Sequence, residues 1–182
     1  MSQLPYQFFR CQHDGSFTWF SPWEGFESRG HYHLPLSHWL NIEKIEEHLD
    51  WRRRPLQPSP FISVFNNEYD ANRRAQYHVD HGCSGVFVAE IDTTTLEPVL
   101  LPITFAHETV QLPVWTNSDN TTFISTRAAR WHLGVSHSVS QLSEWFALDY
   151  IPASMIRHTV AFSYSLASTI QSESHDGFLC RY

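Results

Sequence analysis

No apolar run in this chain approaches the roughly 20 residues that carry a helix across a bilayer. Residues 1–9 hold no basic region followed by an apolar stretch of leader length. A soluble, cytoplasmic protein with no membrane partner is therefore expected. Cysteine is scarce. The three present, Cys11, Cys83 and Cys180, are widely spaced, which argues against a disulfide framework or a cysteine-based metal site and leaves reduced structural thiols as the expectation. Positive charge is also short. Twelve Lys and Arg against 19 Asp and Glu give a net charge of -7, a field that repels polyanions and disfavours nucleic acid as the partner. The basic run Arg52, Arg53, Arg54 reads as a solvated loop or as ion-pair partners for Glu46, Glu47 and Asp50. No glycine-rich phosphate loop follows a strand, and neither a βαβ period nor an internal repeat is visible. A doubly wound nucleotide fold is excluded on those grounds.

What the chain does have is aromatic mass, with 7 Trp, 7 Tyr and 13 Phe in 182 residues. That suits one domain with a thick core or a cleft lined by flat rings. Residues 6–11 read as a strand ending near Arg10, and 17–35, broken by Pro22, Gly25, Gly30 and Pro35, as an irregular aromatic loop. Asn41 caps a helix over 41–51 whose Ile42, Ile45 and Leu49 share a face. Residues 61–65 form an apolar strand, 68–81 a helix stopped by Gly82, and 86–92 a second firm strand. A Pro-punctuated stretch runs on to Trp115. A weaker helix at 126–133 is closed by Gly134, and 144–150 and 156–164 read as strands joined at Ile151-Pro152. The domain is placed at 1–167, with a polar tail over 168–182.

Twelve histidines invite a metal reading at His31-Tyr32-His33 and at the pair His78 and His81. On a helix His78 and His81 share one face, but Asp80 points away and Cys83 lies beyond the helix stop, so the set matches no familiar ligand spacing. Surface histidines and no metal are expected.

The segment from Glu144 through Ile151-Pro152 to Ile156 resembles the region around the catalytic glutamate of cholera-type and pierisin-type ADP-ribosyltransferase toxins. Three further pieces follow that family's order. Phe8-Phe9-Arg10 looks like its first-strand arginine motif, Pro60-Phe61-Ile62-Ser63 like the strand bearing its serine, and residues 86–92 like the next core strand. The chain also resembles fungal proteins of unassigned function that carry a His-Leu-Asp-Trp segment, a Ser-Pro-Phe-Ile-Ser-Val strand and a Glu-Ile-Asp-Thr strand, here 48–51, 59–64 and 90–93. The resemblance implies an α+β fold, with a split mixed or antiparallel sheet core flanked by helices, and NAD as substrate. Glu144 would be catalytic, with Arg10, Ser63, Phe65 and Tyr69 binding the dinucleotide.

Those residue types suit the chemistry. Breaking the bond between nicotinamide and ribose builds positive charge on the sugar, which a carboxylate offsets. A guanidinium forks across phosphate oxygens, and a short hydroxyl fixes the carboxylate's rotamer. Phe65 or Tyr69 would stack on the cationic ring. The resemblance breaks at Leu142, where arginine-modifying toxins carry an acidic residue and pierisin-type relatives glutamine, and at Val64-Phe65, where the family's serine motif continues with hydroxyls. Three functions remain in view. They are an NAD-cleaving transferase or glycohydrolase acting on an unknown protein or small-molecule acceptor, an NAD-binding module without turnover, and an interaction domain docking through 17–32.

Overall fold

Short β-rich runs become strands here because each can bury one face or both. In a computed structural model that describes residues 3–30, 34–50 and 57–163, the chain begins with β1 (Gln7–Gln12), β2 (Thr18–Ser21), β3 (Gly25–Ser28), α1 (Leu36–Trp39) and α2 (Ile42–Leu49). It continues through β4 (Phe61–Phe65), α3 (Glu68–Asp80), β5 (Phe87–Asp92), β6 (Glu97–Thr104), β7 (Thr109–Thr116) and β8 (Thr122–Ser125). It ends with α4 (Thr126–Leu133), β9 (Glu144–Leu148), β10 (Tyr150–Pro152) and β11 (Ile156–Ala161). The architecture is α+β. One sheet of eight strands runs β11-β5-β1-β4-β9-β8-β7-β6, and one of three strands runs β10-β3-β2. Every pairing among the described residues is antiparallel, so the mixed sheet allowed for from the sequence is not seen there.

Side-chain alternation in the central strands builds two different faces. Phe8, Ile62, Val64, Trp145 and Ala147 pack with Phe26 and Ile151 of the smaller sheet. On the opposite face Phe61 and Phe146 join a cluster with Ile45 and Leu49 of α2 and Ala129 of α4. Phe9, Cys11 and Phe65 join another with Ala71, Ala75 and Val79 of α3. Ser63 and Glu144 fall by the same alternation between those last two clusters.

The three expected helices form, with Asn41 and Gly134 capping as expected. Asn41 accepts from Lys44 N–H, Asn67 from Asp70 N–H, and Ser125 from Ala128 N–H, while Gly134 closes α4 at φ 76°. Three expectations are corrected. The stretch read as an aromatic loop contains the β2–β3 hairpin, because Phe20 and Phe26 meet at 4.7 Å and supply a local core, and the short α1 follows it. The Pro-punctuated stretch holds the long β6–β7 hairpin. Pro98 and Pro102 fit in β6 because it is an edge strand with one side unpaired. The strand expected over 144–150 breaks at Asp149, where φ of 58° turns the chain from the large sheet into the small one. The expectations for His31 to His33, for Trp51, for the run at 52–54 and for the tail at 168–182 lie outside the described residues.

Gly25 joins the two halves of this frame. At φ 107° it lies against β10, and a Cβ there would sit 2.1 Å from the Ile151 carbonyl oxygen. Gly82, at φ 73°, has no atom within 4 Å of such a Cβ. Gly25→Ala is expected to cost more than about 2 kcal/mol of unfolding free energy, and Gly82→Ala only the ~1 kcal/mol of a left-handed alanine, in denaturant titrations. Equal costs would show that close packing at Gly25 is unimportant.

Candidate functional site

Strands β1 and β4 share one registered pair, Phe9 with Phe65, and then part. The Arg10 side chain bridges the gap. Its Nη1 donates to the Ser63 carbonyl at 2.8 Å, and its Nη2 donates to Gln12 Oε1 and Thr18 Oγ1, each at 3.1 Å. A backbone carbonyl left unpaired where two strands separate is thereby satisfied by a side chain. Burial of the guanidinium lowers its pKa to about 10, which leaves it charged at neutral pH.

Ser63 and Glu144 lie on the two strands next to this gap. Ser63 is registered with Phe146, and Glu144 with Phe65. Glu144 is 4% exposed. Desolvation raises its pKa, opposed by the charge of Arg74, by hydrogen bonds from Ser63 and the Gln141 backbone, and by Arg10. Its Oε2 is buried and has no hydrogen-bond partner among the described residues. Behind Ser63 stands His48 of α2, with Nε2 at 2.9 Å from Ser63 Oγ and Nδ1 at 2.8 Å from Ser59 Oγ. Burial pushes the His48 pKa down to about 3, so the ring is neutral at pH 7.

These groups line a cavity of about 170 Å³. That is below the roughly 300–1,000 Å³ of pockets enclosing drug-sized ligands, so it suits one end of a larger molecule lying across its mouth. The α3 face supplies Arg74, Tyr77 and His78, spaced to project together from one side of a helix. Arg10 and Arg74 are cationic, and Glu144 is the sole carboxylate among the described lining residues. The pocket is thus electropositive in a chain of net charge -7, a field that favours anionic ligands.

Of the residues singled out from sequence, Arg10, Ser63, Phe65 and Glu144 all line this cavity. Tyr69 does not. It sits 70% exposed on the outer side of α3 with Arg73 over its ring. Sequence reading missed His48, Ser59, Arg74 and His13, and weighed His78 only as a metal ligand or surface histidine. His48 and Ser59 lie within the two segments shared with the fungal proteins, a signal whose chemistry only the fold reveals. Arg74 carried no signal beyond its place in the helix.

The histidine expectation is corrected in part. His78 is buried, not at the surface, and its ring stacks on His13 at 4.2 Å between centroids. Exposed His81 turns instead to Tyr77, and Asp80 accepts from Gln76. Donor atoms of His13, His78 and Cys83 lie within 4.8 Å of one another. One feature opposes their use as a ligand set, since His13 Nδ1 already accepts from Gly15 N–H. Cys11 is free and buried, and burial pushes its pKa up to about 11.

The chain belongs to the family described as Domain of unknown function (DUF7587), whose match covers residues 3–165. No curated protein and no solved structure matches it. Among the described residues no helix is long and apolar enough to cross a membrane.

Two pH effects follow from these buried groups. His13, His48 and His78 have folded pKa values of about 4, 3 and 3, each mainly through desolvation, against 6.5 when solvated. The unfolded chain therefore binds protons first on acidification. Stability is full above pH 6.5 and is expected to fall between there and about pH 3, read as a declining urea midpoint. Glu144 has the opposite sign. Its raised pKa favours the protonated form in the fold, so that contribution is lost as pH rises through the folded value. Glu144→Gln is expected to raise the neutral-pH urea midpoint, with the gain vanishing in acid.

Proposed function

We propose that this chain is an NAD-cleaving enzyme, a mono-ADP-ribosyltransferase or NAD glycohydrolase built on an ADP-ribosyltransferase-like fold. The observation that carries the reading is Glu144. Its carboxylate is held on one side by Ser63 and presents a buried, unpartnered Oε2 at an electropositive cavity. An unsatisfied buried oxygen costs stability, so a ligand group that donates to it, or that becomes cationic beside it, fits the position. A ribose does both. Its hydroxyl donates in the ground state, and its ring becomes cationic as the bond from C1′ to the nicotinamide nitrogen breaks. The bonding pair moves onto the pyridine ring and neutralises it. An acceptor oxygen or nitrogen then bonds to C1′ and loses its proton.

Phosphate binding is shared unequally in this scheme. Arg10 is committed to Ser63, Gln12 and Thr18, so it braces the site and contributes its charge at short range. Arg74, on the cavity-facing side of α3, is the guanidinium assigned to the pyrophosphate. Phe65 forms an apolar wall for the nicotinamide. Leu142, 77% exposed and two residues before Glu144, has no group to take an acceptor's proton. That favours an acceptor needing no activation at that position, water included. The commitment of Arg10 also favours a second reading, an NAD-binding module without turnover.

The deciding experiment is nicotinamide release from NAD by the purified chain, followed by NMR. Glu144→Gln is expected to lower the rate at least ~100-fold, as for loss of a group that stabilises transition-state charge. Arg74→Ala is expected to raise KM roughly tenfold, the worth of one charged hydrogen bond. Binding of NAD by calorimetry with no release would establish the second reading.

A further inference from the structure

We propose that Ser59, His48, Ser63 and Glu144 form one polarised hydrogen-bond chain in which His48 and Ser59 are positioning residues that dictate which way the Ser63 hydroxyl points. For its catalytic consequence this rests on the role assigned to Glu144, while the chain itself is tested without NAD.

The direction of the chain is set at the carboxylate end, and the contacts at the other end are compatible with it. At one end Phe61 N–H, a group that only donates, points at Ser59 Oγ at 3.4 Å. Ser59 is then free to give its own proton to His48 Nδ1, 2.8 Å away. A neutral imidazole that accepts at Nδ1 carries its proton on Nε2. That proton points at Ser63 Oγ, 2.9 Å away, which leaves the Ser63 proton for Glu144, whose registered partner Phe65 lies two residues along β4 from Ser63 on the same face. An ionised carboxylate only accepts, which closes the sequence at the other end. With Glu144 ionised, the one proton of each hydroxyl and of the ring runs toward the carboxylate. Links of this kind strengthen one another when buried.

Packing holds the ring in that plane. His48 meets Phe61 and Phe146 edge-on, at 5.3 and 6.4 Å between centroids. The chain also ties α2, the segment before β4, β4 itself and β9 at one point. The other ionisable groups facing it are Arg10 and Cys11 of β1, His13 after β1, and Arg74 and His78 of α3. Arg10 keeps its charge near neutrality, and the group in the chain that can reverse it is Glu144. Once protonated, Glu144 donates to Ser63, Ser63 donates to Nε2, and His48 carries its proton on Nδ1 toward Ser59. The tautomer of His48 therefore reports the charge of Glu144.

The test is long-range proton–nitrogen NMR of the whole chain, which distinguishes the two neutral tautomers, run alongside a carbon-detected titration of Glu144. The expected result is Nε2–H while Glu144 is ionised, changing to Nδ1–H with the same midpoint as the carboxylate. In Ser59→Ala and His48→Phe the Glu144 midpoint is expected to move upward, because Ser63 is no longer compelled to donate. Ser59→Ala removes one half-buried hydroxyl and keeps the test available if His48→Phe fails to fold. An Nδ1–H tautomer beside an ionised Glu144, or a midpoint unmoved by Ser59→Ala, overturns the proposal.

In nicotinamide release, Ser59→Ala is expected to lower kcat roughly 10- to 100-fold at unchanged KM, the range for residues that orient another functional group. His48→Gln, which keeps a donor and an acceptor, is expected to recover part of the loss. An active parent with an unchanged Ser59→Ala variant also overturns the proposal. A parent that releases no nicotinamide sinks the role given to Glu144 instead, and the chain is then judged on tautomer and midpoint.

Discussion

The site depends on one guanidinium standing where a backbone ladder stops. Where β1 leaves β4, the Ser63 carbonyl loses the strand partner it would otherwise have, and Arg10 supplies a donor in its place. A hydrogen bond from a charged donor to a carbonyl tolerates a separation that backbone-to-backbone pairing does not, so the sheet can stay open without an unsatisfied acceptor. The same group fixes Gln12 and Thr18 on the far side of the gap. The opening is therefore a built feature, kept apart by a buried cation whose burial itself opposes the charge.

That cation also makes the neighbouring charges intelligible. Glu144 lies in surroundings that would neutralise it, and Arg74 and Arg10 draw it back toward ionisation. The histidines around the cavity go the other way. Burial keeps His13, His48 and His78 uncharged, so they add donors and acceptors without adding to the positive field. A site with two cations, one strained anion and three neutral imidazoles is less stable than an apolar core of the same volume would be. Such local cost, borne by a well-packed frame, is what is expected where groups are held ready for a ligand.

The frame was largely readable because it follows local rules. Asn41, Asn67, Ser125 and Gly134 mark helix ends through hydrogen bonds and backbone angles that depend on few neighbours. The strands at 61–65 and 86–92 show as apolar runs between turn residues. Pro98 and Pro102 hid β6, because whether a proline is tolerated depends on which strand forms the sheet edge, and that is a property of the whole topology. The site divided in the same way. Arg10, Ser63 and Glu144 were found through motif order, and Phe65 through its place beside Ser63. Tyr69, one helical turn too early and facing outward, was not brought in. Arg74 and His78 have no sequence proximity to the other groups, and His48 looked like one more polar residue near a helix end. Their importance comes from contacts spanning 15 residues or more, as between His48 and Ser63.

Asp149 carries a consequence of a mechanical kind. One residue in the left-handed region separates the strand that begins with Glu144 from the strand that enters the three-stranded sheet. Its amide is tied to the Pro60 carbonyl just ahead of the Ser63 strand, and its carbonyl to Ser28 N–H of β3. Such a joint has no slack. A push on the hairpin of β2 and β3 from outside would travel through it as a displacement of both the carboxylate and the serine, so that hairpin is a lever on the two groups at once.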